Sequence, residues 1–256
     1  MQKTICSVAF SPLRIEPSHK TEMVSQLIFG ELGEIIDRAK DSWIKIKCKF
    51  DAYEGWCQEG HVMDIDEEQY QEKETALTID WATEIKLNGT IMMIPMGSAL
   101  SGLKKRSVSS KKNKFVFSGR TWNPAGVKRN KKTIRQLSET FLNTPYLWGG
   151  KTVFGTDCSG YTQTVFRFLN VHLLRDAWQQ ATQGDLVESL GKAQCGDLAF
   201  FDNPEGRITH VGILMNDHKI MHASVRVRVD RIDEKGIVQS DSSARTHRLR
   251  MIRRYF

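Results

Sequence analysis

Thr156-Asp157-Cys158-Ser159-Gly160 decides the fold of this chain, because a Gly-rich turn precedes this stretch and an amphipathic helix pattern follows it. Apolar residues recur at i, i+4, i+7 and i+8 from Tyr161 to Leu169, which predicts a helix with Cys158 in its first turn. Unpaired backbone N–H groups and the positive end of the helix dipole favour a thiolate there. A cysteine at such a position is either reactive or a small buried apolar side chain, and partner residues distinguish the two.

The partner residues lie downstream, in a predicted hairpin that carries two histidines. Residues 209–215 alternate as a half-buried strand does, and His210 belongs to the side opposite Val211. Residues 216–218 are typical of a turn, and the returning strand brings His222. If the turn holds an odd number of residues, His210 and His222 project from the same face, whereas an even number separates them.

Cys158, His210 and His222 together fit nucleophilic catalysis by a thiol. In such an arrangement Cys158 attacks a carbonyl carbon, His210 takes and returns the proton, and His222 orients His210. Each histidine taken alone is equally compatible with a structural imidazole bonded to the backbone. The combination with a helix-start cysteine favours catalysis.

Six segments in the C-terminal half resemble, in order and spacing, those of the NlpC/P60 cysteine peptidases, which cleave peptidoglycan stem peptides. The segments are 145–150, 156–160, 174–180, 196–201, 208–213 and 221–224. Six ordered matches are far more specific than any one short motif. The resemblance implies a papain-like domain in which the cysteine opens a helix packed on an antiparallel sheet that carries both histidines.

The chain is long enough for more than this one domain, since the catalytic pattern begins only near residue 133. Residues 1–66 hold short apolar runs split by Pro, Gly, Asp and Ser, which predicts a small all-β unit, and they resemble a bacterial SH3 domain. Residues 75–130 hold weaker short strands, compatible with a second, degenerate SH3-like barrel. The predicted fold class is α+β, with a papain-like domain at 133–256 preceded by one or two SH3-like barrels.

The resemblance is closest to the subgroup with SH3-like domains before the catalytic domain. It implies hydrolysis of the bond between γ-D-Glu and the diamino acid in murein peptides with a free N-terminal L-Ala. Asp157, with Ser159 nearby, matches the acid that binds the free α-amine, and Glu22 and Tyr53 match by position a Glu and a Tyr that reach the same amine. Carboxylates and a phenol around an ammonium would reject an acylated peptide, because the charges would stay unpaired.

The same resemblance implies roles for residues around the nucleophile. Tyr146 donates its O–H towards the oxyanion, together with the backbone N–H of the nucleophile, and Trp148 lines the substrate cleft. Arg175 and Asp176 match an Arg-led segment of the substrate site. The following position is Ala177 here, where many relatives carry Ser.

Other readings of these residues remain open. Cys158, His210, His218 and His222 together suggest a zinc site, although the Gly-Gly approach to Cys158 and the lack of a second nearby Cys disfavour it. A second alternative is a cell-wall peptide binding module with the papain-like domain as a non-catalytic scaffold. A third is an acyltransferase, but in those proteins the His commonly precedes the Cys. We expect a peptidase that needs neither a metal nor another cofactor.

Charge favours an acidic partner over nucleic acid. The formal net charge is +7, with basic runs at 104–114 and 128–132 that are predicted to be solvated. No aromatic interleaving or recognition motif accompanies these runs, so nucleic-acid binding is not expected. The positive charge instead suits a murein-derived peptide rich in carboxylates.

Cysteine usage and the N-terminus lead to an expected cellular location. Five cysteines without regular spacing do not predict a disulfide framework, and at least one thiol stays free. No leader pattern opens the sequence as written, and no apolar run is long enough to predict a membrane span. We therefore expect a cytoplasmic protein, or a periplasmic or secreted one if a leader is missing from the printed sequence.

Overall fold

The computed structural model describes residues 2–73, 75–100, 107–109 and 114–256, with only the backbone described for 107–109 and 114. The chain divides into two compact units, Met1–Gly126 and Val127–Phe256. Four short α-helices accompany 22 strands in the described residues, so the predicted α+β class is confirmed. No helix in this part of the chain is long and apolar enough to cross a bilayer. The predicted solvated residues 104–106 and 111–112 lie outside the described residues.

Alternating side chains build the first sheet of the N-terminal unit. Ile44 and Ile46 are fully buried, whereas Lys47, which follows Ile46 in the strand, is exposed, as a strand with one buried face requires. Seven strands lie in the order β3-β2-β6-β5-β4-β1-β7. Their bounds are β1 (Gln2–Cys6), β2 (Phe10–Arg14), β3 (Met23–Ile28), β4 (Leu32–Arg38), β5 (Trp43–Cys48), β6 (Glu54–Gln58) and β7 (Val62–Asp64).

The rest of this unit adds one helix and two smaller sheets. A four-stranded sheet has the order β10-β9-β12-β11, and β13 pairs with β8. Phe29, Ile85, Ile94, Leu100 and Phe117 share one buried cluster, so the smaller sheet has a core to which the first sheet's end contributes Phe29. The elements are α1 (Glu67–Gln71), β8 (Leu77–Thr78), β9 (Ala82–Leu87), β10 (Thr90–Pro95), β11 (Ser107–Ser109), β12 (Lys114–Phe117) and β13 (Thr121–Trp122).

A closed ring of six strands forms the sheet of the C-terminal unit. Hydrogen bonding runs β22-β17-β18-β19-β20-β21 and returns to β22, and β16 pairs with β22 outside the ring. The elements are α2 (Lys131–Glu139), β14 (Lys151–Thr152), β15 (Gly155–Thr156), α3 (Cys158–Phe168), α4 (Ala177–Gln180), β16 (Asp185–Val187), β17 (Leu198–Asp202), β18 (Ile208–Leu214), β19 (Lys219–Ser224), β20 (Arg226–Asp233), β21 (Gly236–Val238) and β22 (Arg245–Arg254).

The β18–β19 hairpin has the register that the sequence predicts. Gly212 pairs with His222 and Leu214 with Ile220, and the backbone bond from Met215 to Lys219 closes the turn around residues 216–218. The odd turn places His210 and His222 on one face, diagonally across the pair. Gly212 is required opposite His222, because an added Cβ would lie 2.8 Å from the His222 Cβ.

Helix α3 is buried along its whole length, which differs from the amphipathic helix that the apolar spacing predicts. Its polar side chains are buried with partners: Thr162 donates to the Gln180 side chain, and Gln163 to the backbone carbonyl of Leu173. Buried polar groups are tolerated when they are hydrogen-bonded in this way. Gly160 in the first turn packs so closely that an added Cβ would overlap the carbonyl oxygen of Gly150.

Candidate active site

Cys158 is the first residue of α3, and its thiol is buried beside β18, at the backbone N–H of Val211. Burial, and then the carboxylate of Asp157, raise the pKa of Cys158 to about 12, although the N–H groups of Val211 and Ser159 and the Arg175 guanidinium act in the opposite direction. The expectation of a thiolate favoured by the helix start is therefore wrong for the free protein. Desolvation is the largest cause of this raised pKa, and it favours the neutral thiol.

His210 and His222 are joined directly. The distance from His210 Nε2 to His222 Nδ1 is 2.9 Å, and both side chains are buried. Burial, followed by the neighbouring rings of His222 and His247, holds the pKa of His210 well below its usual range. His210 is consequently a neutral imidazole, the form that accepts a proton.

A third imidazole, which the sequence analysis did not identify, lies against His210. The rings of His210 and His247 stack with centroids 4.1 Å apart and planes inclined by 28°. Burial and the neighbouring His222 lower the pKa of His247 to about 4, so this ring is neutral too. His247 lies in β22, a strand rich in arginine. The alternation of exposed and less exposed residues along this strand is the one signal in the sequence that could have placed His247 on the inner face.

The second histidine of the pair contacts the carboxylate of Asp230, a residue that was not predicted from the sequence. His222 Nε2 lies 3.0 Å from Asp230 Oδ2, and this carboxylate is fully buried. Asp230 occupies an inward position of β20, between the buried Val227 and Ile232. By alternation Asp230 shares its face of the strand with Arg228 and Ile232, so no apolar pattern in the sequence marks it as buried.

Asp157 holds the loop before the nucleophile in place through several hydrogen bonds. Its carboxylate accepts five hydrogen bonds, from the backbone N–H groups of Gly149 and Gly160, the Ser159 hydroxyl and two Arg175 nitrogens. The Arg175 guanidinium, 2.6 Å away, is only 1% exposed. A carboxylate offers about four lone-pair positions, so Asp157 caps α3 and orders the loop with its acceptor capacity already used.

The remaining predicted site residues of this unit differ in their burial and in their contacts. Tyr146 is half-buried; burial, and then the nearby Cys158 and Asp157, raise the pKa of its phenol, so it stays protonated and able to donate. Trp148 is 59% exposed, as a residue lining an open cleft would be, and not a core side chain. Asp176 precedes α4, where its backbone N–H donates to the Gln179 side chain at 3.0 Å.

Glu22 and Tyr53 lie in the N-terminal unit. Glu22 immediately precedes β3 with an exposed side chain, and Tyr53 is partly buried against the core of the first sheet. The Tyr53 N–H donates to the Asp51 carboxylate at 3.0 Å. Their predicted contact with a substrate amine stays a prediction.

The arrangement suits a proton transfer from the thiol. The Cys158 thiol lies at the backbone N–H of Val211, the residue after His210, and a neutral His210 imidazole can take its proton as sulfur attacks a carbonyl. His218, which the zinc alternative requires, is exposed and contacts Asp217 and Asn216 instead. In the described residues, no group of three His, Cys, Asp or Glu side chains is placed to hold a metal ion.

Comparison with known families identifies both kinds of domain. The NlpC/P60 family matches residues 143–246, and the bacterial dipeptidyl-peptidase Sh3 domain matches residues 13–62. Residues 143–246 therefore form an NlpC/P60 domain and residues 13–62 a bacterial SH3 domain, as the resemblance predicts.

One curated relative matches a single domain of the chain, and another matches most of its length. The gamma-D-glutamyl-L-lysine dipeptidyl-peptidase of Bacillus subtilis is 39% identical over 102 residues, which cover 38% of this chain and 34% of that protein. Dipeptidyl-peptidase 6 of Lysinibacillus sphaericus is 24% identical over 87% of this chain and 89% of its own length. The chain thus spans about a third of the first relative's length, in agreement with a match confined to one domain.

A solved structure agrees with the fold. The crystal structure of an NlpC/P60 family protein from Bacillus cereus ATCC 10987 superimposes with a TM-score of 0.80, over 99% of both chains at 17% identity. At this identity the likeness concerns the fold, and it supports the papain-like α+β domain with an all-β region before it.

Proposed function

We propose that the chain is a cysteine peptidase that hydrolyses the γ-D-Glu–diamino acid bond of murein stem peptides with a free N-terminal L-Ala. The observation that carries this proposal is the position of the buried Cys158 thiol at the backbone N–H of Val211, the residue that follows His210, whose ring lies 2.9 Å from that of His222. The name of the Bacillus subtilis relative, which specifies a γ-D-glutamyl-L-lysine bond, supports the choice of substrate.

The proposed reaction proceeds through a thioester. His210 takes the Cys158 proton as sulfur bonds to the γ-D-Glu carbonyl carbon, and the resulting oxyanion receives the Tyr146 O–H and the Cys158 backbone N–H. As a first-turn amide of α3, this N–H has no intrahelical acceptor. His210 then protonates the departing amine, and it next activates the water that hydrolyses the thioester.

Selection of a free N-terminus is the second part of the proposal. Asp157, Ser159, Glu22, Tyr53 and Asp176 are the residues proposed to contact the dipeptide portion. The resemblance implies that Asp157, Glu22 and Tyr53 together bind the ammonium, and Asp157 is also paired with Arg175. An N-acetylated peptide has no ammonium for these residues to bind, so the proposal predicts that it is rejected.

Mass spectrometry of two peptides tests the proposal. The purified chain is incubated with L-Ala-γ-D-Glu-diaminopimelate and with the N-acetylated form, and we expect release of the dipeptide from the free peptide only. Equal cleavage of both would contradict the amine selection, and absence of cleavage of both would contradict the substrate assignment.

Two cysteine variants test the nucleophile. Cys158→Ala is expected to abolish turnover, whereas Cys195→Ala, a matched change of another buried cysteine in the same unit, should preserve it. Residual hydrolysis near the wild-type rate in Cys158→Ala would remove the thiol from the mechanism. A chelator should leave the rate unchanged, and inactivation by a chelator would revive the metal alternative.

A further inference from the structure

The hydrogen-bond chain from His210 continues to a carboxylate held by several donors. Asp230 Oδ2 receives His222 Nε2 at 3.0 Å and Arg228 Nε at 2.9 Å, and Oδ1 receives Arg228 Nη2 at 3.0 Å and the Ser240 N–H at 2.9 Å. Burial alone would raise the pKa of Asp230, but the hydrogen bonds from His222, Ser240 and Arg228 hold it well below its usual range. Asp230 is therefore a charged carboxylate, and its oxygens only accept.

This carboxylate determines which ring nitrogens carry hydrogen. Because an ionised carboxylate has no proton to donate, His222 Nε2 must be the N–H that points to Asp230. The neutral form of an imidazole has a single N–H, so in that form His222 Nδ1 is bare and accepts. The hydrogen in the 2.9 Å contact then belongs to His210 Nε2, which leaves His210 Nδ1 as the bare nitrogen. That nitrogen is the one available to take the thiol proton.

We propose that Asp230 is a positioning residue that fixes the tautomers of His222 and His210 and so makes His210 the base. This inference rests on the proposed function, because it concerns the same thiol peptidase site. Asp230 touches neither the nucleophile nor the reacting carbonyl, and it acts through His222.

The sheet register supports a built relay. Gly212 is opposite His222, and Ile220 is opposite Asp230, so each successive member is displaced by two residues on the next strand. His210, His222 and Asp230 therefore share one face and form a diagonal across β18, β19 and β20. The strands belong to the closed ring, which fixes this alignment on both sides.

Asp230→Asn is the informative substitution, because it keeps the shape and removes the charge. Two fixed donors, Arg228 Nη2 and the Ser240 N–H, converge on the Oδ1 position, whereas only one, Arg228 Nε, points to the Oδ2 position, so the amide oxygen is retained at Oδ1. The amide nitrogen then faces His222 Nε2 and donates to it. Both histidines would switch tautomer, and the bare nitrogen of His210 would no longer be available to the thiol.

Kinetics with the free tripeptide measure the consequence. We expect kcat of Asp230→Asn to fall by about 10²- to 10⁴-fold with little change in KM, as for other buried carboxylates that fix a catalytic tautomer. Asp230→Glu, which restores a carboxylate, should recover part of the loss. Asp233→Asn is the matched control: Asp233 also lies in β20 and is paired with an arginine, Arg245, but it is half exposed. This control should stay within about threefold of the wild-type kcat, well below the loss expected when a tautomer is fixed wrongly.

Nitrogen-15 NMR of the histidine rings provides a readout that needs neither substrate nor a folded variant. In the wild-type chain at neutral pH we expect His222 and His210 both to be protonated at Nε2 and bare at Nδ1. The opposite tautomer at either ring, or an Asp230→Asn enzyme with kcat within a few-fold of wild type, would overturn the inference. If the wild-type chain cleaves neither peptide, the proposed function fails, and the ring spectra still decide whether Asp230 sets the tautomers.

Discussion

Replacement of Arg175 by methionine tests how much the buried ion pair behind the nucleophile stabilises the fold. The Arg175 side chain is 1% exposed and that of Asp157 9%, and two guanidinium nitrogens bind the two carboxylate oxygens. Arg175→Met removes the cation and leaves the carboxylate buried. Loss of one partner of a buried pair typically costs about 3–5 kcal/mol.

The remaining donors to Asp157 place the expected cost near the lower limit. The N–H groups of Gly149 and Gly160 and the Ser159 hydroxyl still bind the carboxylate after the substitution, so we expect a loss of about 3 kcal/mol. For a unit of this size, 1 kcal/mol corresponds to about 4 °C in Tm, which predicts a decrease of about 12 °C. Arg175→Met with Asp157→Asn should recover part of this loss, because no buried charge is left unpaired.

Scanning calorimetry of the full chain at neutral pH measures these shifts. Arg245→Met is the matched control, since Arg245 also binds both oxygens of a carboxylate, that of Asp233, but the two side chains are 40% and 50% exposed. Exposed pairs contribute about 0–1 kcal/mol, so its Tm should fall by less than about 4 °C. Equal shifts for Arg175→Met and Arg245→Met would refute the reasoning from burial.

Three further predictions concern the ionisation of the site. His247→Ala should expose His210 and raise its pKa towards the ordinary value, which moves the acid limb of kcat/KM to higher pH; an unchanged limb in the pH–rate profile would show that the stacked ring has no influence. In the folded chain His210 and His247 have a pKa below the ordinary 6.5, so between pH 6.5 and about 4 the unfolded chain binds more protons than the folded chain. Above pH 6.5 both rings are neutral in both states, and the free energy of unfolding should therefore fall as pH decreases from 6.5 towards about 4. A constant urea midpoint over that range would contradict this. With the pKa of Cys158 raised to about 12, its alkylation by iodoacetamide, followed by peptide mass spectrometry, should keep accelerating through alkaline pH; a plateau near neutrality would indicate a preformed thiolate.

Local patterns were sufficient to predict the central part of the site. Helical spacing after residue 160 placed Cys158 at the start of a helix, and the odd turn at 216–218 put His210 and His222 on one face. Both features depend on periodicity within a few residues, which the sequence displays directly.

Residues whose positions depend on strand pairings other than the β18–β19 hairpin escaped prediction. His247 reaches His210 only because β22 closes the ring against β17 and β21, and the position of Asp230 depends on the pairing of β19 with β20. The thiol pKa escaped for a related reason. The helix start is visible in the sequence, but the burial that raises the thiol pKa comes from packing against β18.

The ring closure limits how a peptide can be recognised by this sheet. Each of the six strands has a hydrogen-bonded neighbour on both sides along at least part of its length, so the backbone edges to which an extended ligand could add as another strand are short, such as residues 208–211 of β18. Recognition of the proposed peptide would then depend mainly on side chains and loop amides that bind the ends and the charged groups of the ligand.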